Sequence, residues 1–106
     1  MAKFLLSYRV PKDYTPGRPE RVAAWTAWFD SMGANLTDQG LPVIESSSLG
    51  NCGADTRLGG YSLVIADDLE AALTVAKGCP ALEMGAGIEV GVIMELNRGT
   101  RPVSED

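Results

Sequence analysis

Residues 59–73 read GGYSLVIADDLEAAL, and no other stretch of the chain says as much about its architecture. The run from Tyr61 to Ala66 consists mainly of residues that favour β-strands, and paired glycines precede it. Asp67 or Asp68 can then accept hydrogen bonds from the free N–H groups of a first helical turn. The stretch therefore predicts a strand that passes directly into a capped amphipathic helix.

The remaining elements follow from the spacing of apolar residues. The predicted elements are strands at 3–9, 42–49 and 86–96 and a helix at 20–39. Together with residues 59–73, they give the order β-α-β-β-α-β, which is typical of a ferredoxin-like sandwich with both helices on one face of an antiparallel sheet. We therefore predict an α+β protein with one domain over residues 1–97 and a polar C-terminal tail at 98–106.

The helix predicted at 20–39 carries one apolar stripe. Its members recur at spacings of three and four residues and are Val22, Trp25, Phe29, Met32 and Leu36. A helical wheel places Trp25 near the centre of this stripe and Trp28 at its edge. We expect Gly33 to weaken the helix without ending it, and Gly40 to close it in the left-handed conformation.

The third predicted strand is apolar on both of its faces. Its two alternating sets are Tyr61, Leu63 and Ile65 on one side and Ser62, Val64 and Ala66 on the other. If both helices cover one face of the sheet, the other face keeps a broad apolar surface, and such a surface usually marks an interface. Pairing of two sheets about a two-fold axis would bury it and enclose a cavity. We therefore predict a homodimer with a barrel-like centre, that is, a dimeric α/β barrel.

Composition and charge argue against several classes of partner. The chain has 106 residues, and fourteen acidic residues against nine basic ones give a formal net charge of −5. Nucleic acid is not expected as a partner, because phosphate backbones require clustered Lys and Arg. No apolar run has the length of a membrane span or a signal peptide, and Cys52 and Cys79 are predicted to be reduced. We predict a cytoplasmic protein with no membrane partner.

Three segments carry a resemblance to a known family. They are GGYSLVIADDLEAA at 59–72, AKGCPAL at 76–82 and GIEV at 87–90. In their order and spacing they resemble the YCII-related family, also called DGPF-domain proteins. The resemblance implies a ferredoxin-like subunit of a dimeric α/β barrel, in a group that includes small enzymes and proteins that bind heme or substrates.

The chain departs from that family in two respects. Some members carry a His-Asp pair that is proposed to act in catalysis, and this chain has no histidine. The Asp-Gly-Pro-Phe sequence is also missing between Leu49 and Gly59. The catalytic pair is therefore not carried over, and the missing histidine favours a protein without enzymatic activity.

Candidate ligand-binding residues lie on the predicted strands and at the edge of the first helix. They are Arg9, Trp28, Glu45, Tyr61 and Glu89. Arg9 could orient a small polar ligand together with Glu45 or Glu89, or it could form a solvent-exposed ion pair with either carboxylate. Trp28 could line a pocket or the subunit interface, or it could pack at a rim.

Other reactive groups have simpler interpretations. Asp67 and Asp68 are interpreted as helix caps rather than as a paired acid site. Cys79 follows the predicted second helix and is interpreted as a packed thiol rather than a nucleophile, while Cys52 lies in a Gly-rich loop. Two distant cysteines without a histidine do not make the usual transition-metal set, so neither a metal nor a cofactor is predicted.

Three functional hypotheses follow. The leading one is a homodimeric domain that binds a small molecule in or beside the dimer cavity, without the His-Asp pair. The first alternative is a small cofactor-free enzyme of lyase, hydrolase or oxygenase type that uses Arg9, Tyr61 or carboxylates. The second alternative is a structural or regulatory domain that binds another protein.

Overall fold

A computed structural model describes residues 1–94 of the chain and contains a four-stranded antiparallel sheet. The strands are β1 (Ala2–Pro11), β2 (Leu36–Asp38), β3 (Thr56–Ala66) and β4 (Gly87–Ile93), and the helices are α1 (Pro19–Met32) and α2 (Leu69–Ala76). The strands lie in the order β2-β3-β1-β4, so β1 and β3 form the centre of the sheet. This α+β architecture confirms the predicted class and is compatible with a ferredoxin-like sandwich.

The strand and the helix predicted within residues 59–73 are both present. β3 ends at Ala66, and Asp68 is the N-cap of α2. The Asp68 Oδ1 atom accepts a hydrogen bond from the backbone N–H of Ala71 at 2.8 Å. The capping interpretation is thereby confirmed for Asp68, and α2 continues to Ala76.

α1 is shorter than predicted. It ends at Met32, because Gly33 adopts a φ of 56°, and a 3₁₀ turn follows. A residue with a side chain rarely adopts such a φ, so this glycine ends the helix that we expected it only to weaken. The prediction of one continuous helix over 20–39 is therefore wrong after Met32, and the chain there forms the 3₁₀ turn and β2 instead.

The strand predicted at 42–49 is absent. β3 pairs with β1 on one side and with the short β2 on the other, and the chain after β2 makes one further bridge to β3, between Pro42 and Gly60. Pro42 has no N–H to donate, and after the bond from the Val43 N–H to the Gly59 carbonyl the Val43 carbonyl accepts from the Arg57 side chain rather than from a backbone N–H. The connection that leads from there to β3 is exposed and has no regular structure.

The two faces of the sheet differ in their cover. The least exposed residues of the central strands alternate along the chain and are Phe4, Leu6, Ser62 and Val64. The apolar members of this set join Trp28 and Met32 of α1 and Ala72 of α2 in one core. The opposite face, called the open face below, includes Leu5 at 36% and Tyr61 at 40% exposure. Both helices therefore pack on one face of the sheet, as predicted.

The C-terminal strand is β4, which lies within the segment predicted at 86–96. Residues 95–106 lie outside the described residues, and with them the end of that predicted strand and the tail predicted at 98–106. Among residues 1–94, no helix has the length and the apolar character that a membrane span requires.

Candidate functional site

A cavity of about 440 Å³ lies between α1 and the helix-covered face of the sheet. Two loops complete its wall, residues 12–17 after β1 and residues 39–42 after β2. Its aromatic lining residues are Tyr8, Tyr14, Trp25, Phe29 and Tyr61. Small-molecule sites usually have volumes of about 300–1,000 Å³ and apolar walls. This cavity is therefore the candidate functional site.

Tyr8 of β1 lies at the base of the cavity. Its hydroxyl donates to Ser62 Oγ at 2.7 Å, and Ser62 Oγ donates to the carbonyl oxygen of Gln39 at 2.6 Å. Burial raises the pKa of Tyr8 well above its ordinary value, so the hydroxyl stays neutral and does not serve as a base near neutral pH. The two hydrogen bonds fasten the loop at 39–42 to the sheet.

Trp25 is the main contribution of α1 to the wall. Its ring meets Tyr8 edge to face with centroids 4.9 Å apart, and the Phe29 ring lies 5.8 Å away. Its Nε1 atom is buried and has no hydrogen-bond partner among the residues that the structure describes. A buried N–H group without an acceptor costs about 1–3 kcal/mol. Trp25 therefore holds an unused donor beside the cavity.

Trp28 lies one turn further along α1 and belongs to the core. It is 7% exposed, and its Nε1 donates to the Val75 carbonyl oxygen at 3.1 Å. It also lines a smaller cavity of about 290 Å³ between the two helices. The expected positions of the tryptophans are therefore reversed, since Trp28 is buried while Trp25 is half-buried and lines the larger cavity.

Gly60 allows the loop at 39–42 to approach the sheet. Its φ is 151°, and a Cβ at this position would lie 3.2 Å from the Leu41 carbonyl oxygen and 3.5 Å from Tyr8 Cδ2. A side chain here would therefore crowd the Leu41 carbonyl of the loop and would be strained by the positive φ.

Arg57 joins the first loop of the cavity wall to Val43, which directly follows the loop at 39–42. Its register partner on β1 is Val10, which is buried under the helices. Its Nη1 donates to the Val43 carbonyl oxygen and its Nη2 to the Tyr14 carbonyl oxygen, both at 2.8 Å. The sequence predicts no role for this residue. The one feature that could have indicated it is the position of the arginine just before the paired glycines.

Arg21, near the start of α1, gives the cavity a positive charge. Among the lining residues in the described part of the chain, it alone is charged, and it is half-buried. Its guanidinium carbon lies 5.2 Å from the centre of the Tyr14 ring, and its Nη1 lies 2.8 Å from Met84 Sδ. Within residues 1–94 it forms no ion pair with a carboxylate. The site thus combines aromatic walls with one unneutralised cation.

Of the predicted ligand-binding residues, Tyr61 borders this cavity where β3 passes Gly40 of the loop at 39–42, although its side chain alternates onto the open face. Arg9 lies on the open face, and its Nη2 donates to the Thr56 carbonyl oxygen at 2.9 Å. Glu45 is exposed in the connection before β3, and Glu89 is exposed on β4. No ion pair joins Arg9 to either carboxylate, so the structure does not bring the predicted set together in one place.

The two thiols lie in different environments. Cys79 is 2% exposed, and burial raises its pKa from 9.0 to about 11. Its burial confirms the interpretation of Cys79 as a packed thiol, and the raised pKa keeps the thiol protonated near neutral pH. Cys52 is exposed, and both cysteines are free.

No protein-family model, curated protein or solved structure matches the chain. The resemblance to the YCII-related family therefore stays a prediction, and the function has to be argued from the cavity itself.

Proposed function

We propose that the protein binds a small, planar and largely apolar molecule in the cavity between α1 and the sheet. The observation that carries the proposal is the lining, in which Tyr8, Tyr14, Trp25 and Phe29 border a space of about 440 Å³. Aromatic rings stack on or meet other rings edge to face with a gain of about 0.5–1.5 kcal/mol per pair beyond the burial of their surface. A planar molecule is the shape that can use several of these rings at once.

A hydrogen-bond acceptor on the ligand would complete the site. Trp25 Nε1 is buried without an acceptor in the described part of the chain. The Nε1 atom is closed to solvent. A carbonyl oxygen or a ring nitrogen on the ligand would therefore satisfy the indole N–H after the half-buried Trp25 ring turns towards the cavity, and it would recover the cost of burying the N–H, about 1–3 kcal/mol. The proposed ligand is therefore apolar over most of its surface and carries at least one acceptor.

Binding is favoured over the enzyme alternative, because the cavity offers no group suited to proton transfer near neutral pH. The chain has no histidine, none of the described lining residues is a carboxylate, and burial keeps Tyr8 protonated. Arg9, which the alternative requires, donates to backbone carbonyl groups on the open face. Of the residues named for catalysis, Tyr61 alone lies at the cavity.

A cavity-filling substitution tests the proposal. Val22 and Ala23 are adjacent exposed residues of α1, and Val22 lines the cavity whereas Ala23 does not. Val22→Trp should abolish the binding of neutral aromatic probes, for which we would use indole, quinoline and naphthalene-1-carboxamide with saturation-transfer NMR. Ala23→Trp adds the same ring outside the cavity and should leave binding unchanged.

Two results would contradict the proposal. The wild-type protein would bind none of these probes, or the Val22→Trp variant would bind them as well as the wild type does. Circular dichroism of both variants shows whether each is folded before binding is compared.

We also propose that two copies of the chain pair through their open faces. The apolar residues of this face are Leu5, Leu63, Ile65 and Ile93. It also carries Arg9 and Glu89, so it presents charges of both signs and can complement itself about a two-fold axis. Such pairing would form the dimeric α/β barrel that the resemblance implies, and on the same grounds we propose membership of the YCII-related family.

The connection before β3 supports a second copy as the partner. Two of its apolar side chains are largely exposed in the single chain, with Ile44 at 76% and Leu49 at 92%. Exposed apolar side chains of this size indicate a surface that association covers.

Light scattering after size-exclusion chromatography tests the dimer. Leu63→Lys should yield a monomer, because it places a charge in the apolar row of the open face. Leu73→Lys is the matched control, since Leu73 is 44% exposed on α2, and this variant should remain a dimer. A wild-type protein that is monomeric at high micromolar concentration contradicts the proposal. In that case, capture of a different protein on the open face would favour the protein-interaction alternative.

We propose the cytoplasm as the compartment of the protein. Both cysteines are free, and Cys52 is exposed, as is common where glutathione keeps thiols reduced. Fractionation of host cells, followed by detection of the protein in each fraction, checks this assignment.

A further inference from the structure

We infer that the ligand of this cavity is an aromatic monocarboxylate and that its carboxylate pairs with Arg21. The inference rests on the proposed function, since it concerns the same cavity, and it adds the charge and the polar group of the bound molecule.

Arg21 has unused hydrogen-bonding capacity that two other arginines near the sheet lack. Arg9 and Arg57 each donate three hydrogen bonds to protein oxygen atoms. Arg21 has one polar contact in the described residues, to the thioether sulfur of Met84, which is a weak acceptor. A guanidinium has five N–H donors, so most of those of Arg21 remain available to a ligand.

The guanidinium of Arg21 is held in position without being neutralised. It stacks over the Tyr14 ring at 5.2 Å, and the Tyr14 carbonyl in turn accepts a hydrogen bond from Arg57. No carboxylate forms an ion pair with Arg21 within residues 1–94, and none lines the cavity in that range. A half-buried cation beside aromatic walls gains from an anion more than a fully solvated one does, because less water screens the pair.

The geometry of α1 sets the spacing of the two anchors. Arg21 and Trp25 are four residues apart, which puts them on the same side of the helix with Cβ atoms about 5–6 Å apart. Because both residues line the cavity, a ligand whose carboxylate pairs with Arg21 can place its ring against the wall that Trp25 forms. The planar fork of a guanidinium matches the two oxygens of a carboxylate.

A single cation also limits the charge of the ligand. One guanidinium balances one negative charge, whereas a phosphate monoester carries a charge of about −1.5 to −2 near neutral pH. The described cavity wall offers no second cation to balance the excess. A monocarboxylate is therefore the anion that this site fits.

Isothermal titration calorimetry with matched probes tests the inference. We would compare naphthalene-1-carboxylate with naphthalene-1-carboxamide, which keeps the ring and an acceptor but not the charge. In the wild-type protein the carboxylate should bind about tenfold more tightly than the amide. Arg21→Met keeps a side chain of similar length and should remove this preference while the amide binds as before.

Two further variants make the test specific. Arg18→Met removes an exposed cation that pairs with Glu20 and does not line the cavity, so it should keep the preference of the wild type. Arg21→Lys keeps the charge but not the planar fork and should retain part of the preference.

The outcomes separate the two levels of the proposal. If the wild-type protein binds the amide as tightly as the carboxylate, or if Arg21→Met keeps the preference, the inference about Arg21 is overturned while the cavity remains a binding site. If neither probe binds the wild-type protein, both the inference and the proposed function are overturned.

Discussion

The two halves of α1 carry the same kind of side chain and use it in different ways. In the second half, Trp28 is buried, and its indole N–H donates to the Val75 carbonyl of α2. In the first half, Trp25 lies beside a cavity, and its buried indole N–H has no partner in the described residues. Aromatic content therefore does not distinguish core from site in this protein, whereas the state of the indole hydrogen bond does.

The largest effect is expected from removing the core tryptophan. Trp28→Ala should lower the free energy of unfolding by about 3–5 kcal/mol, because it leaves a large void between the helices. Trp25→Ala should lower it by about 1–2 kcal/mol, since that ring is only half-buried. Denaturant unfolding monitored by circular dichroism measures both. Equal losses of unfolding free energy in the two variants would show that Trp25 and Trp28 contribute equally to the core.

The pH dependence of stability should separate the core from the exposed loop. Folding raises the pKa of Cys79 from 9.0 to about 11, so its contribution is complete below pH 9.0 and is lost as the pH rises towards 11. A shift of this size corresponds to a loss of about 2–3 kcal/mol. Unfolding free energies measured between neutral pH and pH 11 should show less decline in Cys79→Ala than in the wild type. The unfolding free energy of the Cys52→Ala variant, whose change lies in the exposed connection, should decline with pH as that of the wild type does.

A smaller effect is expected at the base of the cavity. Ser62→Ala removes the acceptor of the Tyr8 hydroxyl and should cost about 1–3 kcal/mol of unfolding free energy. When Tyr8→Phe is added, the total loss should be less than the sum of the two single losses, because the second change removes the unpaired hydroxyl. Strictly additive losses would argue against the hydrogen bond between these two side chains.

The smallest change in stability should come with a clear change in binding. Trp25→Phe keeps a ring in the cavity wall and removes the unpartnered N–H, so the unfolding free energy should change by less than about 1 kcal/mol. The affinity for naphthalene-1-carboxamide should fall about tenfold in titration calorimetry, because the donor is lost. Trp28→Phe should show the opposite pattern, with reduced stability and unchanged affinity. A Trp25→Phe variant that binds normally would remove the indole N–H from the proposed site.

Features that depend on a few neighbouring residues could be predicted from the sequence. The alternation of β3 and the Asp68 cap of α2 are of this kind, because each follows from residue types within one turn or one strand. The end of α1 is different, since the apolar stripe continues past Gly33 to Leu36 and fits a longer helix. The positive φ of Gly33 ends the helix at Met32, and the residue type alone does not show whether a glycine adopts it.

The cavity could not be assembled from the sequence, because its wall comes from α1, the sheet and two loops. Tyr61 was found because it is a large polar aromatic residue on a strand, whereas Arg21 resembles an ordinary surface residue in the first turn of a helix. Arg57 holds the two loops by donating to backbone carbonyl groups. Every residue has such a carbonyl, so the amino-acid sequence does not show which of them accept a hydrogen bond. Side chains that hydrogen-bond to backbone groups are therefore the ones that cannot be predicted from the spacing of residue types.

The bonds of Arg57 also bear on the timing of ligand exchange. One guanidinium binds the carbonyls of Tyr14 and Val43, which belong to loops on opposite sides of α1 in the chain. While both bonds persist, neither loop can swing outward alone, so the entrance opens as one unit. The residence time of a bound ligand then depends on how often both hydrogen bonds break together. A substitution of Arg57 should therefore change the dissociation rate of the ligand more than it changes the shape of the cavity.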